Sequence, residues 1–187
     1  MIKVVDKLGK SAVEIGKSTG REVAYLADME KGRQVGKALI GTESEIKLDE
    51  KIIALVKDYK RKLILIHSHS NNASFSSQDV YLFCRCPGIQ KMVLYGYDGT
   101  KYVIEKKAGQ DYISIAEAIF FGWESEKMEL MEKYLQQWKA GEDEQVVWKK
   151  HAHEIMQRLS KKYNFKYCKK RKHKRNPNKL QKRKGGE

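Results

Sequence analysis

Two periodicities of apolar and polar residues run through the first 110 positions of the chain. Helical spacing of apolar residues covers residues 2–18 and residues 50–60. Short apolar runs between turn residues, which are typical of strands, cover residues 22–28, 34–40 and 62–69. The run "LILI" before His67 contains four consecutive aliphatic residues, so we expect this strand to be buried on both faces.

The second half of the chain is predicted to be mainly helical. We expect a helix over residues 77–85, a hairpin over 91–107, and helices over 111–139 and 142–163. After Asn164 the sequence is basic and irregular. The order of elements predicts an α/β fold, a mixed β-sheet flanked by helices with a helical C-terminal extension. The expected division is a domain over 1–110, the extension over 111–163 and a basic, disordered tail over 164–187.

Charge is concentrated at the C-terminal end. The net charge is +14, and the stretch from Lys161 to Glu187 holds 13 Lys and Arg residues and one acid. The remainder is nearly neutral, with 25 basic and 23 acidic residues. A basic segment binds polyanions through counterion release, so residues 165–187 are a candidate nucleic-acid contact, with a solvated tail as the alternative.

Apolar content and cysteine usage argue against a membrane-spanning or secreted protein. No apolar run approaches the roughly 20 residues that span a bilayer, and the N-terminus lacks the apolar stretch of a secretory signal. The three cysteines are Cys84, Cys86 and Cys168, an odd number, with two of them too close for a comfortable bridge. We therefore expect reduced thiols, a cytoplasmic location and no contact with a membrane.

Candidate chemistry lies where the buried strand ends. His67 and His69 are two residues apart, so on a strand their side chains share one face and can converge on a metal ion. Asp79 is the nearest further ligand, and it follows Ser76 at the spacing of an N-cap and the third helical position. The alternative is a pair of hydrogen-bonded histidines followed by an ordinary helix start.

A metal hydrolase also needs a carboxylate that accepts a proton from water. Glu22 opens the first predicted strand and is the preferred general base, ahead of Glu14, Glu43 and Glu45. The chain contains a second pair with the same spacing, His151 and His153, on a predicted helix. Residues i and i+2 of a helix lie on different sides, so this pair is not expected to share a metal.

The stretch "HSHSNNASFSSQD" resembles the motif of the JAMM (JAB/MPN-plus) zinc metalloproteases, in which two histidines precede a serine and an aspartate. The upstream strand "GREVAYLAD" is similar to the glutamate-bearing strand of the RadC-like and phage-associated branch. The resemblance covers about residues 10–110. Two features differ from many members: Ser70 replaces a proline, and six residues instead of seven separate His69 from Ser76.

The resemblance implies a JAMM or cytidine-deaminase-like sandwich and a Zn²⁺ ion held by His67, His69 and Asp79. Glu22 and Ser76 would be the catalytic residues, Glu22 as the base and Ser76 as a hydrogen-bond donor to the oxyanion or to water. The reaction would be hydrolysis of a peptide or isopeptide bond in a protein or peptide substrate.

Two other functions remain open on the sequence. One is a non-catalytic RadC-like module whose tail binds DNA, and the other is a phage structural protein that retains the domain for maturation cleavage. The aromatic residues of the helical extension recur at helical spacing, which fits either internal packing or a face for a partner. They are Phe120, Phe121, Trp123, Tyr134, Trp138 and Trp148.

Overall fold

The computed structural model describes residues 1–43 and 45–170, which form five helices and six strands. The helices are α1 (Ile2–Thr19), α2 (Glu50–Lys57), α3 (Ser77–Arg85), α4 (Ala116–Lys139) and α5 (Glu144–Lys162). The strands are β1 (Val23–Asp28), β2 (Arg33–Ile40), β3 (Leu63–His69), β4 (Ile89–Gly96), β5 (Lys101–Glu105) and β6 (Lys166–Lys170). The predicted α/β class, a mixed sheet flanked by helices, is confirmed.

All six strands belong to one sheet with the order β2-β1-β3-β4-β5-β6. The central pair, β3 and β4, is parallel, and its crossover is α3. Every other neighbouring pair is antiparallel. The strand β3 therefore lies in the interior of the sheet, where all seven of its residues are buried. A candidate site at its end is supported by strands on both sides.

One face of the sheet is covered by α1. Val5, Leu8 and Ala12 of this helix pack on Val23 of β1 and Ile66 of β3 in a compact cluster. The helix lies very close to the strands, because a Cβ placed on Gly9 would overlap the ring of Tyr95. Close approach of this kind requires glycine.

The opposite face carries the larger core, which contains residues from α2, α3, α4 and α5 together with the sheet. Ile119 and Trp123 of α4 and Leu159 of α5 belong to the same cluster as Leu65 of β3. The helices that the sequence assigns to a C-terminal extension thus bury their apolar side chains against the sheet. Their packing contributes to the core on which the end of β3 rests.

The structure corrects one part of the sequence prediction. Residues 166–170 were expected to be irregular and to start a disordered tail, but they form β6, which pairs with β5 from Glu105↔Lys166 to Lys101↔Lys170. The three lysines of this strand concealed its pattern, while Phe165 just before it is buried in the core. The remainder of the predicted tail, 171–187, lies outside the described residues.

Helix boundaries differ from the prediction by a few residues. The helix expected over 111–139 begins at Ala116, since Asp111 accepts backbone hydrogen bonds from Ile113 and Ser114 in a turn. The helix expected over 50–60 ends at Lys57. In the part of the chain that the structure describes, none of the helices has the length and apolar character to cross a membrane.

Candidate metal centre

Two neighbouring strands bring three of the predicted residues together. His67 and His69 lie on the face of β3 that also carries Leu65, as period two requires. Ala24 of β1 pairs with His67 in the antiparallel register, and continuing that register by two residues places Glu22 opposite His69. Glu22 is held there by backbone hydrogen bonds with Gly41 and Thr42.

Asp79 reaches the same place from the first turn of α3. Ser76 is the N-cap, and its hydroxyl accepts a hydrogen bond from the backbone N–H of Asp79 at 3.1 Å. In return, the backbone N–H and the hydroxyl of Ser76 both donate to Asp79 Oδ2, each at 2.8 Å. This reciprocal capping box fixes the Asp79 carboxylate through Oδ2, while Oδ1 contacts His67.

The four side chains form one cluster of close nitrogen–oxygen contacts. His67 Nε2 lies 3.3 Å from Asp79 Oδ1, and His69 Nε2 lies 3.5 Å from Asp79 Oδ2. Glu22 Oε1 lies 3.5 Å from His69 Nε2. Donor atoms of His67, His69 and Asp79 all lie within 4.8 Å of one another, so this buried group can hold a metal ion. The alternative glutamates Glu14, Glu43 and Glu45 are exposed.

His67 has no hydrogen-bond partner within the described part of the chain. Both of its ring nitrogens are buried, and the Nε2 contact with Asp79 does not have hydrogen-bond geometry. A buried imidazole without a hydrogen bond is costly, by roughly 1–3 kcal/mol for each unsatisfied group. A cation bound between the two histidines and Asp79 would satisfy Nε2, which favours a metal site over a merely structural histidine pair.

Burial controls the protonation of the site. It lowers the pKa of His69 to about 4 despite the charge of Asp79, so this imidazole is neutral at pH 7. Burial also raises the pKa of Glu22 to about 7, against the opposing effect of His67. For Asp79, burial acts to raise the pKa, but the nearby charge of His67 holds it below its usual range. Against the effect of burial, the charge of Asp79 raises the pKa of His67. The site therefore contains one ionised carboxylate, one neutral imidazole, a second imidazole with a raised pKa and one carboxyl whose pKa lies near neutrality.

The loop over residues 70–76 is held by elements distant in sequence. The indole Nε1 of Trp123 in α4 donates to the carbonyl of Phe75 at 3.2 Å. The hydroxyls of Ser74 and Tyr167 in β6 lie 2.9 Å apart. These contacts were not predicted, because neither Trp123 nor Tyr167 carries a local sequence signal for contact with this loop.

Asn72 determines the path of the same loop. It adopts a left-handed backbone conformation with φ of 57°, which asparagine tolerates better than most residues. Its side chain accepts a hydrogen bond from the N–H of Asp98, and its carbonyl accepts one from the Tyr102 hydroxyl. The loop is thus tied to the turn and the second strand of the β4–β5 hairpin.

The second histidine pair serves a different purpose. His151 stacks on Tyr134 with ring centroids 4.6 Å apart, and its Nε2 lies 3.1 Å from the carbonyl of Lys127. His153 Nδ1 lies 2.6 Å from the hydroxyl of Tyr167. The two side chains contact different elements, α4 and β6, as expected for positions i and i+2 of a helix.

Comparisons with known proteins give no relative for this chain. No family model matches it, no curated protein matches it, and no solved structure matches it.

We expect His67→Ala to abolish metal binding, because it removes one of three protein ligands. The probe is Zn²⁺, added to the metal-free protein and measured by elemental analysis after extensive dialysis. The natural chain should retain one equivalent. His153→Ala is the matched control, since it removes the second histidine of the other pair and should leave the zinc content unchanged. Equal zinc content in the natural chain, His67→Ala and His153→Ala would contradict a metal site at His67.

Ser76→Ala should weaken metal binding by 10- to 100-fold, because the variant loses the hydroxyl that orients Asp79. The affinity is measured by competition with a chromophoric chelator. Asp49→Ala provides the control: Asp49 caps α2 and accepts a hydrogen bond from the N–H of Ile52 at 2.9 Å. Both variants should lose about 1 kcal/mol of unfolding free energy. Unchanged metal affinity in Ser76→Ala would show that the capping box does not position the ligand.

Proposed function

We propose that this chain is a zinc-dependent metallopeptidase or isopeptidase of the JAMM type. The observation that carries the proposal is the convergence of Glu22 with His67, His69 and Asp79 at the end of β3. A structural histidine pair would not need a partly buried glutamate beside the neighbouring strand. The same four residues are those that the resemblance to JAMM proteases implies.

Zinc is the metal that the donor set favours. Two imidazoles and one carboxylate leave the fourth tetrahedral position open, which is the pattern of catalytic rather than structural zinc sites. Ligand atoms about 2.0–2.1 Å from one ion in a tetrahedron lie roughly 3.3 Å from each other. His67 Nε2 lies at that separation, 3.3 Å, from Asp79 Oδ1, whereas the 3.5 Å contact of His69 Nε2 is with the other oxygen, Oδ2. With one donor atom from each residue, the three atoms lie within 4.8 Å of one another.

Zinc bound by these ligands would act as a Lewis acid and lower the pKa of water from 15.7 towards about 7. Glu22 would be the residue that receives the proton, a role supported by the 3.5 Å distance of its Oε1 from His69 Nε2. Burial raises the pKa of Glu22 to about 7, so its carboxyl can both accept a proton and return it to the leaving amine near neutral pH.

Ser76 has a role in this proposal that follows from its contacts. The sequence suggested that its hydroxyl stabilises the oxyanion or orients water. In the structure the hydroxyl donates to Asp79 Oδ2 at 2.8 Å. We therefore propose that Ser76 orients the Asp79 ligand. Direct contact of the Ser76 hydroxyl with the substrate stays a prediction, and it would require this hydrogen bond to break.

Glu22→Gln should retain one equivalent of zinc and lose hydrolysis by a factor of about 10²–10⁴, because the amide cannot accept the proton. The assay combines the zinc-loaded proteins with a mixture of linear peptides and peptides branched at lysine, and mass spectrometry detects the new termini. His67→Ala should lose both zinc and cleavage. If zinc-loaded natural protein cleaves neither class, or Glu22→Gln cleaves equally fast, the proposed reaction is wrong.

We keep one alternative, a non-catalytic RadC-like or phage structural module that binds DNA. The supporting observation is the excess of Lys and Arg between Lys161 and Glu187, 13 residues against one acid. Part of the predicted tail, β6, is built into the sheet edge, so removing residues 165–187 would also remove a strand. A chain ending at Lys170 leaves the described fold complete and is the appropriate truncation.

The chain ending at Lys170 should lose affinity for a random-sequence DNA duplex while it retains its zinc. Binding is measured by fluorescence anisotropy at several salt concentrations, and for the full chain log affinity should fall linearly with log salt. Unchanged DNA affinity after truncation would eliminate the tail as the contact. If the full chain binds DNA but neither retains zinc nor cleaves peptides, the alternative is favoured over the peptidase.

A further inference from the structure

Helix α4 has two apolar faces. Its inner face packs in the core through residues that include Ile119, Trp123 and Leu130. A second row of large apolar side chains lies roughly 120° around the helix, given 3.6 residues per turn. This outer stripe consists of Phe121, Met128, Met131, Leu135 and Trp138.

The outer stripe is largely exposed. Phe121 and Met128 are each 67% accessible, Trp138 is 52% accessible and Met131 is 37% accessible. Leu135 is partly buried. Single exposed apolar residues are common, but a contiguous row of this kind on one helix marks a contact surface.

The spacing of the outer stripe is that of a coiled-coil seam. Phe121, Met128 and Leu135 are seven residues apart and occupy the a positions of a heptad. Met131 and Trp138 occupy the d positions, and Glu124 is the one polar residue in the seam. Its carboxylate already contacts Lys127 at 3.6 Å. The seam extends over five apolar positions, long enough to pack against another helix.

Except where Glu124 faces Leu135, this stripe is complementary to itself in the antiparallel direction. A two-fold axis between Met128 and Met131 sets each of these residues opposite the other in a second copy. The same axis sets Phe121 opposite Trp138, and Glu124 opposite Leu135. Each layer then pairs an a position with a d position, which is how antiparallel helices pack, and a two-fold contact requires a surface that matches itself.

We propose that a second copy of this chain docks on the outer stripe of α4 and forms an antiparallel, two-fold helix pair. The aromatic layers of Phe121 and Trp138 close the two ends of the contact. The methionine layers fill its centre, where flexible side chains pack without strict shape requirements.

The available area sets the strength of the dimer. Taking about 200 Å² for a large exposed side chain, the four accessible residues of the stripe contribute on the order of 450 Å² in each copy. The two copies together bury about 900 Å², and Leu135 with the flanking side chains brings the total to about 1,000 Å². This is the lower limit for a specific interface, so the dimer is a weak one that forms at micromolar or higher concentrations.

Charge gives the dimer a distinctive response to salt. Each copy carries a net charge of +14, most of it between Lys161 and Glu187, so the C-terminal stretches of the two copies repel one another at low ionic strength. Salt screens that repulsion and leaves the apolar contact intact, so association should strengthen as salt rises. Assembly through a shared nucleic acid would show the opposite trend, because salt weakens polyanion binding.

The test is sedimentation equilibrium of the full chain, freed of nucleic acid, from 5 to 200 µM in low and high salt. The average mass should rise from 21.7 kDa towards twice that value, and rise further in high salt. Met128→Lys combined with Met131→Lys should stay monomeric. Gln136→Lys is the matched control, since Gln136 is exposed on another side of α4 and bonds to Glu132, and this variant should associate like the natural chain.

Cross-linking tests the direction of the pair. The variants Phe121→Cys and Trp138→Cys are made in a Cys168→Ser background, which removes the exposed native thiol. Each variant is oxidised alone, and a mixture of the two is oxidised in parallel. The antiparallel register brings these two positions together, so the mixture should form a disulfide dimer. Each variant alone should not, because identical positions lie about 25 Å apart along the helices.

Three results would overturn the proposal. They are a monomer at every concentration and salt, a dimer that persists in the double methionine variant, and a dimer in which each cysteine variant cross-links to itself. A monomer that co-sediments with lipid vesicles would assign the stripe to a membrane surface instead.

Discussion

The capping box at the start of α3 is the interaction on which the candidate site depends. The first backbone N–H groups of any helix need acceptors, and here one carboxylate satisfies the N–H of Ser76 while it faces the histidines. A requirement of secondary structure therefore positions a candidate metal ligand. Because β3 is a central strand and α3 is its crossover to β4, the two histidines and Asp79 approach from elements whose relative position is set by sheet pairing.

The electrostatics of the site are compatible with a bound cation. An ionised Asp79 and a neutral His69 lie in a buried cluster where charge is expensive unless it is paired. His67 compensates part of the charge, but it does so with ring nitrogens that have no hydrogen bonds among the described residues. A divalent ion would replace this incomplete pairing with direct ligation. Glu22 is the remaining carboxyl, and burial keeps its pKa near 7, within the range useful for proton transfer.

The sequence predicted those parts of the structure that rest on local periodicity. The strand that carries His67 and His69, the N-cap at Ser76 and the position of Asp79 all follow from period two and capping chemistry. The contact of Glu22 with His69 does not follow from local periodicity, since only the antiparallel pairing of β1 with β3 brings the two residues together. The contacts of Trp123 and Tyr167 with the loop over residues 70–76 could not be predicted, because they join positions 48 and 93 residues apart.

The strand β6 was missed for a related reason. Its lysines gave it the composition of a solvated tail, whereas its pairing with β5 and the burial of Phe165 are tertiary effects. Charge along a chain reports on the solvent-facing side chains, and an edge strand exposes every second residue. A basic composition therefore predicts an exposed face without excluding a paired backbone beneath it.

The two faces of helix α4 differ in what they contact. The inner face holds the loop that leads from His69 to Asp79, through the hydrogen bond from Trp123 to Phe75. The outer face repeats apolar residues where an ordinary surface helix would be polar, and a helix with two apolar faces has weak one-sided amphipathicity. Periodicity could therefore predict the helix without separating its core face from its exposed one. Most of the exposed row therefore contributes little to the core formed by the described residues, and its apolar area is removed from water only when another surface covers it.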